Sequence, residues 1–338
     1  MIRTRWWGPF FGIGLALLVV SAALALGGYD VGRALTAIWQ GALGSEQAIA
    51  SITLKRSVPL LLSGLAVALA FRAGIWNIGA EGQIYAGAVA GFTVGFFGAG
   101  LPSIVLVPAA LLGSLLAGAA WAALPTLMRQ RGGTNEVITT LLLNFVALHL
   151  TGWLVEGPLQ EPRGVERFTA MLPESAWLPT LWPGTDLHLG FAVAIVLAIG
   201  LWVVFRFTRI GFLIRAIGEG PDAARITGQV QSGRIAAGVF LASGAIAGLA
   251  GAVQVLGVDR RVFDGFSPGW GYTAIAVALL ARLNPLAVVA TAILFGALSA
   301  GGDGMQRAAG VPFGWVRVIE AIAVLGVLVA ARGKEVHE

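Results

Sequence analysis

Three side chains with usable chemistry, Arg72, Asn77 and Glu81, fall within ten residues in the stretch Phe71–Gln83, FRAGIWNIGAEGQ, with long apolar runs on both sides. An ionisable group at membrane depth is costly and is usually retained for function. Wherever the stretch is helical, Asn77 and Glu81 at (i, i+4) share a face. A carboxamide makes the two-point hydrogen bonds that a nucleobase edge or a sugar hydroxyl accepts, and Trp76 and Tyr85 offer stacking faces beside it. Gly74, Gly79 and Gly82 interrupt any helix here, since glycine costs about 1 kcal/mol relative to alanine in a helix interior. Irregular backbone survives in lipid only where protein or a watery cavity satisfies its amides and carbonyls. These features describe the wall of a translocation path lined by Trp76, Asn77, Glu81 and Tyr85. A plainer reading stands beside it, a short turn anchored by Arg72, with Glu81 paired to Arg72 or capping the following helix.

A second constellation is Phe263–Tyr272, FDGFSPGWGY, where Phe266, Trp270 and Tyr272 lie beside Gly265, Gly269 and Gly271. Aromatic faces on a bendable backbone suit a planar ligand; tryptophan and tyrosine near a helix end equally suit the interfacial belt of a membrane protein. Asn144, in the middle of an apolar run, either bonds across helices or faces the path. Thr134 is a suitable N-cap for the helix that carries Asn144, and Glu136 then sits in its first turn, where the dipole favours negative charge. Arg317 and Glu320 form an (i, i+3) pair that neutralises itself.

Catalysis finds no support. The chain has no G-x-x-x-x-G-K-[ST] phosphate loop and no nucleophile elbow, so any ATP that drives it is bound elsewhere. His149, His188 and His337 lack metal spacing, and with no cysteine there is no disulfide or thiolate site. No metal or cofactor is expected.

The elements that must position these residues are membrane helices. Of 338 residues, 57% are hydrophobic and 12% charged, against about 25% charged in a soluble domain. The net charge of +5 comes from scattered arginines, not from a basic face, which excludes a nucleic-acid binder. Uncharged windows predict an all-α polytopic protein of about ten spans: Pro9–Gly27, Ser57–Phe71, two spans in the 47 uncharged residues Gly82–Met128 with a turn at Pro102, Glu136–Val155, Leu187–Phe205, Ile235–Val258, the short Gly271–Leu283, Leu286–Gly301 and Trp315–Ala331. The first is read as a retained helix, and Tyr29–Arg56 as short interfacial helices, so that residues 1–56 precede a core over 57–331. Gly74–Tyr85 and Gly265–Thr273 each precede an apolar run, as broken helices at the centre of two inverted repeats would. Gly87, Gly91 and Gly95, like Gly244, Gly248 and Ala252, recur at four-residue spacing, a signal for closely packed helices.

Ten spans leave both termini on one side. Short segments on that side hold 13 basic residues against nine opposite, which places the termini in the cytoplasm by the positive-inside rule. The segment 155–186, with five acids and two arginines, then lies outside, and 208–234, with Arg209, Arg215, Arg225 and Arg234, lies inside.

Four stretches in order, FRAGIWNIGAEGQ, GTNEVITTLLLN (Gly133–Asn144), RAIGEGPDAARITG (Arg215–Gly228) and GWGYTAIAVALLARL (Gly269–Leu283) running on into Asn284-Pro285, resemble the permease subunits of bacterial ATP-binding-cassette importers for nucleosides and simple sugars. The likeness is greatest to the branch associated with basic membrane lipoproteins and extends from about Ser57 onward. It implies a multi-pass plasma-membrane subunit that works with a second related permease, a cytoplasmic ATPase and an extracytoplasmic substrate-binding lipoprotein, on a small-molecule substrate. It further implies that 208–234 carries the element that docks into the ATPase, through Glu219, Pro221, Asp222, Ala224 and Arg225. Pro221 suits a first helical position, Asp222 a first turn and Gly228 the position past a short helix's end. A nucleoside is the expected cargo; ribose or galactose is the alternative. An ion-coupled secondary transporter is the rival class, with only Glu81 and the Arg317/Glu320 pair to serve as a relay.

Overall fold

An uncharged run of 47 residues crosses a membrane twice only if something turns it, and Pro102 does so. Its φ of −66° and ψ of 148° place it as the N-cap of a new helix. The structure, a computed structural model, describes residues 18–162, 166–220, 232–312 and, beyond these, 314, 315, 318, 321 and 322. In chain order the described helices are α1 (residues 18–26), α2 (Val31–Leu43), α3 (Ala48–Arg72, its first turns π-helical), α4 (Ala80–Phe97), α5 (Ser103–Gly132), α6 (Glu136–Glu156), α7 (Gly190–Phe207), α8 (Arg209–Glu219), α9 (Ser232–Gln254, continued by π-helical Val255–Asp259), α10 (Trp270–Leu280) and α11 (Pro285–Ala309). Among the described residues there are isolated β-bridges but no strand.

Six of these helices, α3, α5, α6, α7, α9 and α11, are long and apolar enough to cross a membrane. Two more are the broken ones. α4 has 18 residues and opens on Ala-Glu-Gly-Gln. α10 has only 11, and at about 1.5 Å per residue it spans roughly half of a 30 Å hydrocarbon layer. Of the ten expected spans, the last falls outside the described residues apart from a few positions, and so does the start of the first.

The expectation of a short helix within Tyr29–Arg56 is met by α2, capped by Asp30, whose carboxylate accepts the Arg33 amide at 2.9 Å. It is not met further on, because α3 begins at Ala48 and not near Ser57. Lys55 and Arg56 interrupt the uncharged window, yet Arg56 donates to the Ser299 carbonyl and hydroxyl and pairs with Asp303. A carboxylate 247 residues away neutralises the charge that ended the window.

The described chain falls into two compact units. One comprises Met1–Ser57 and Ile293–Glu338. Its core is Val20, Leu24, Ala34, Ala37, Met305 and Val311. There α2 and α11 touch through glycines: a Cβ on Gly41 would lie 3.0 Å from the Ala300 carbonyl oxygen, and one on Gly304 2.6 Å from that of Ala37.

The other unit, Val58–Ala292, is built on α4, α5 and α9. The small residues spaced by four are what bring these three together. A Cβ on Gly87 would stand 2.0 Å from the Gly248 carbonyl oxygen, one on Gly118 2.2 Å from that of Gly244, and one on Gly251 2.0 Å from that of Ile84. No side chain fits such spaces, so van der Waals contact between backbones takes the place of the missing hydrophobic drive. In the same unit the segment after α6 lies along the end of α9. The Thr169 amide donates to the Val262 carbonyl at 2.9 Å, Leu172 to Arg260 at 2.8 Å and Leu178 to Leu256 at 3.0 Å. Arg260 stacks 3.7 Å over the Trp177 ring and Arg261 4.5 Å over Phe168.

Replacing Gly87 with leucine therefore forces α4 and α9 apart, and overpacking of this kind costs about 1–3 kcal/mol or more. Gly100→Leu is the control, because nothing lies within 4 Å of its Cβ position. Thermal unfolding of the detergent-solubilised protein should show a clear fall in midpoint for the first variant and almost none for the second.

Candidate functional site

The site grows from two interruptions of helix. α3 ends at Arg72, and Gly74 reverses the chain with φ of +71°, a conformation open to glycine at little cost. This turn abuts α8: a Cβ on Gly218 would lie 2.2 Å from the Arg72 carbonyl oxygen and 3.1 Å from the Gly74 nitrogen. The Arg72 guanidinium sits 5.9 Å from the Phe205 ring, and none of the ion pairs among the described residues joins it to Glu81. From Gly74 the chain returns without helix to Gly79, and α4 starts at Ala80. The second interruption follows α9. Gly265 and Gly269 have φ of +69° and +97°, and α10 starts at Trp270.

These two helix starts meet. The Gly271 amide, in the first turn of α10, donates at 2.6 Å to Oε2 of Glu81, in the first turn of α4. Contact at this point requires glycine, since a Cβ on Gly271 would lie 2.2 Å from the Glu81 nitrogen. Ser267 Oγ accepts the Gly269 and Trp270 amides, both at 3.3 Å. Asn144 on α6 completes the junction: Oδ1 accepts the Gly82 amide at 2.8 Å, while Nδ2 donates to the Ile78 carbonyl at 2.9 Å and to Tyr272 Oη at 3.2 Å.

Asn77 is fully buried. Its amide exchanges reciprocal bonds with Gln83, Nδ2 to Oε1 at 2.9 Å and Gln83 Nε2 to Oδ1 at 3.1 Å. It also donates to Ser243 Oγ at 2.9 Å and accepts the Gly79 amide at 3.0 Å. Ser243 passes the chain of bonds on to the Ala66 carbonyl at 2.7 Å. Asn77 thereby ties the returning loop to α9 and α3.

Aromatic side chains cover one side of the junction. Tyr85 and Phe266 are buried and meet edge to face at 4.7 Å, and Phe266 touches Trp270 at 6.0 Å and Phe263 at 6.3 Å. Trp270 is half-buried. Trp76 packs on Phe71 at 4.7 Å and is 52% exposed, and Tyr272 is 40% exposed.

Of the residues singled out in the sequence, Glu81, Tyr85, Asn144, Phe266 and Trp270 come together here, Asn77 stands behind them, and Trp76 lies on the loop that leads to α4. Glu219 is the exposed last residue of α8. Pro221, Asp222, Ala224 and Arg225 lie outside the described residues, as do Arg317 and Glu320. Thr134 does not cap α6. Asn135 does, its Oδ1 taking the Val137 amide at 2.8 Å, and Glu136 pairs with Arg129 at 3.1 Å. Sequence reasoning missed Gln83, Ser243 and Ser267. Gln83 was visible as a carboxamide inside the polar stretch, and Ser267 as a hydroxyl inside FDGFSPGWGY, whereas Ser243, a lone serine in an apolar run, carries no signal.

Residues 49–330 match the family described as branched-chain amino acid transport system / permease component. Among the similar proteins, the glucose ABC transporter permease protein TsgB13 of Haloferax volcanii is 37% identical over 329 residues, 92% of this chain and 86% of its own. The guanosine ABC transporter permease protein NupP of Bacillus subtilis is 36% identical over 323 residues, 94% of this chain and 91% of its own. A second Bacillus subtilis protein, the guanosine ABC transporter permease protein NupQ, is 27% identical over 259 residues, 73% of this chain and 79% of its own.

Asn144→Leu removes one acceptor and two donors from a buried junction, and each orphaned group costs about 1–3 kcal/mol. The variant should unfold at a markedly lower temperature than Asn144→Asp, which keeps the acceptor for Gly82. Equal midpoints for the two would remove the Gly82 bond from the account.

Proposed function

We infer that this chain, which belongs to the family of branched-chain amino acid transport system permease components, carries a nucleoside across the membrane. It is the permease subunit of an ATP-driven, binding-protein-dependent importer, and ATP is hydrolysed by a separate subunit. The observation that carries the cargo reading is aromatic surface on the two broken segments: Trp76, 52% exposed on the loop that leads to α4, and Trp270, half-buried at the start of α10. A nucleobase stacks on such faces for about 1–3 kcal/mol per base. Behind them Asn77, Glu81, Tyr85, Asn144 and Phe266 form a rigid wall to the path. The two Bacillus subtilis relatives named for guanosine support this cargo. A second reading, a simple sugar, is favoured by the relative named for glucose, since tryptophan also covers the apolar face of a pyranose.

The assignment of partners follows the same reading. The ATPase docks on 208–234, and support comes from α8, whose Gly218 abuts the turn at Arg72 and Gly74 and so adjoins the loop carrying Asn77. A second permease completes the path, as the pairing of NupP and NupQ in one organism suggests. The binding lipoprotein docks on 155–186, and both termini face the cytoplasm.

The test is uptake by proteoliposomes holding this chain with its ATPase, partner permease and binding protein. We expect ATP-dependent guanosine uptake that excess glucose does not inhibit. Trp270→Ala should reduce it about tenfold, the scale of one lost stacking contact, with basal ATP hydrolysis retained. Glucose uptake that guanosine does not inhibit establishes the second reading.

A further inference from the structure

We propose that the outer face of α6, around His149, is the surface against which the second permease packs. α6 turns its small and polar residues inward: Thr140, Asn144, Ala147 and Thr151 are buried. Ile138, Leu142, Phe145, His149 and Trp153 are exposed on the opposite side, three or four residues apart, and so form one ridge. Within that ridge His149 is out of keeping with lipid. It lies seven residues, about 10 Å of helix, from the end at Glu156. More than one turn from either end of the six membrane-spanning helices, it is the one ionisable residue left exposed among the described residues. The outer faces of α5 and α7 show what lipid accepts: Leu112, Leu116 and Leu124 on the first, Val196, Ile199 and Val203 on the second.

A neutral imidazole carries one donor and one acceptor nitrogen, and hydrocarbon answers neither. A neighbouring helix does, and one polar side chain in an apolar ridge fixes partner and register. The inference deepens the importer reading and rests on it. Of the partners assigned there, the ATPase and the binding lipoprotein lie outside the bilayer, so a second permease is the one that reaches this depth. The place fits that role, because Asn144 on the inner side of the same helix holds the α4/α10 junction. A partner on the outer face is then one helix away from the path it completes.

Site-directed photocrosslinking of the co-expressed importer tests this, with different tags on the two permeases. Benzoyl-phenylalanine replaces Phe145 on α6 and, as the control, Val196 on α7. Irradiation should give the Phe145 position an adduct that carries both tags, and the Val196 position none. If the partner co-purifies but Phe145 gives no adduct, an adduct within this chain or one between two copies of it, the proposal is overturned. Equal adducts from both positions overturn it as well. A second pair of variants reads His149 itself. His149→Leu suits lipid, so the chain purified alone should unfold no earlier than wild type, yet bind its partner about threefold more weakly, the scale of one interhelical hydrogen bond in a membrane. His149→Gln should retain the partner. A leucine variant that holds the partner as firmly as wild type removes His149 from the contact and overturns the proposal. No cargo enters these readouts, so failure here leaves the nucleoside reading standing, and glucose uptake leaves this one. A wild-type importer that transports without any second permease removes the pairing and this proposal with it.

Discussion

A helix that begins inside an apolar layer leaves its first amides where no water can reach them, and this protein has two such beginnings at one place. In water those groups are solvated; in lipid each one left bare costs several kcal/mol. The junction of α4 and α10 is arranged around that constraint. Asn77 takes the Gly79 amide, Asn144 that of Gly82, Ser267 those of Gly269 and Trp270, and Glu81 that of Gly271. Four side chains from the two broken segments and α6 thus supply what solvent would. The polar groups that first suggested a path are the ones that allow the backbone to break.

The remaining packing serves this junction. α4 is held by α5 and α9 through glycines that admit no side chain, so its start stays in place although its first turn is polar. α10, too short to span, is fixed at its start by Glu81 and by Asn144 through Tyr272. Ser243 on α9 links Asn77 to the Ala66 carbonyl of α3. A path beside such a junction has rigid polar walls and aromatic faces, which suits brief, oriented contact with a neutral ring system. That is the physical content of the proposal that this importer subunit carries a nucleoside.

Much of this was legible in the chain and some was not, for reasons of distance. The glycine-broken polar stretches, the small residues spaced by four and the turn at Pro102 are local patterns, and each appears where the pattern places it. Partnership is not local. Asn77 finds Ser243 166 residues away, Glu81 finds Gly271 190 away and Asn144 finds Ile78 66 away. Glu81 was open to a site reading, to pairing with Arg72 and to capping the helix that follows it; its bond is to the start of a different helix, which no spacing rule reveals. The same holds for the early start of α3, hidden by Arg56 until Asp303 is seen beside it. Thr134 and Asn135 are both good caps in adjacent positions, and only backbone geometry decides between them.

The central claim is that Glu81 of one broken helix holds the first turn of the other through the Gly271 amide, and that amide can be observed alone. The chain has two tryptophan–glycine steps, Trp7–Gly8 and Trp270–Gly271. Labelling tryptophan carbonyls with carbon-13 and glycine amides with nitrogen-15 therefore leaves two resonances in a carbonyl-filtered spectrum. A short bond to a carboxylate shifts an amide proton downfield and shields it from exchange. One of the two signals should be strongly downfield and slow to exchange, and it should move upfield in Glu81→Gln while the other stays fixed. Two unshifted signals in wild type, or a downfield signal that ignores the Glu81 substitution, would contradict the account.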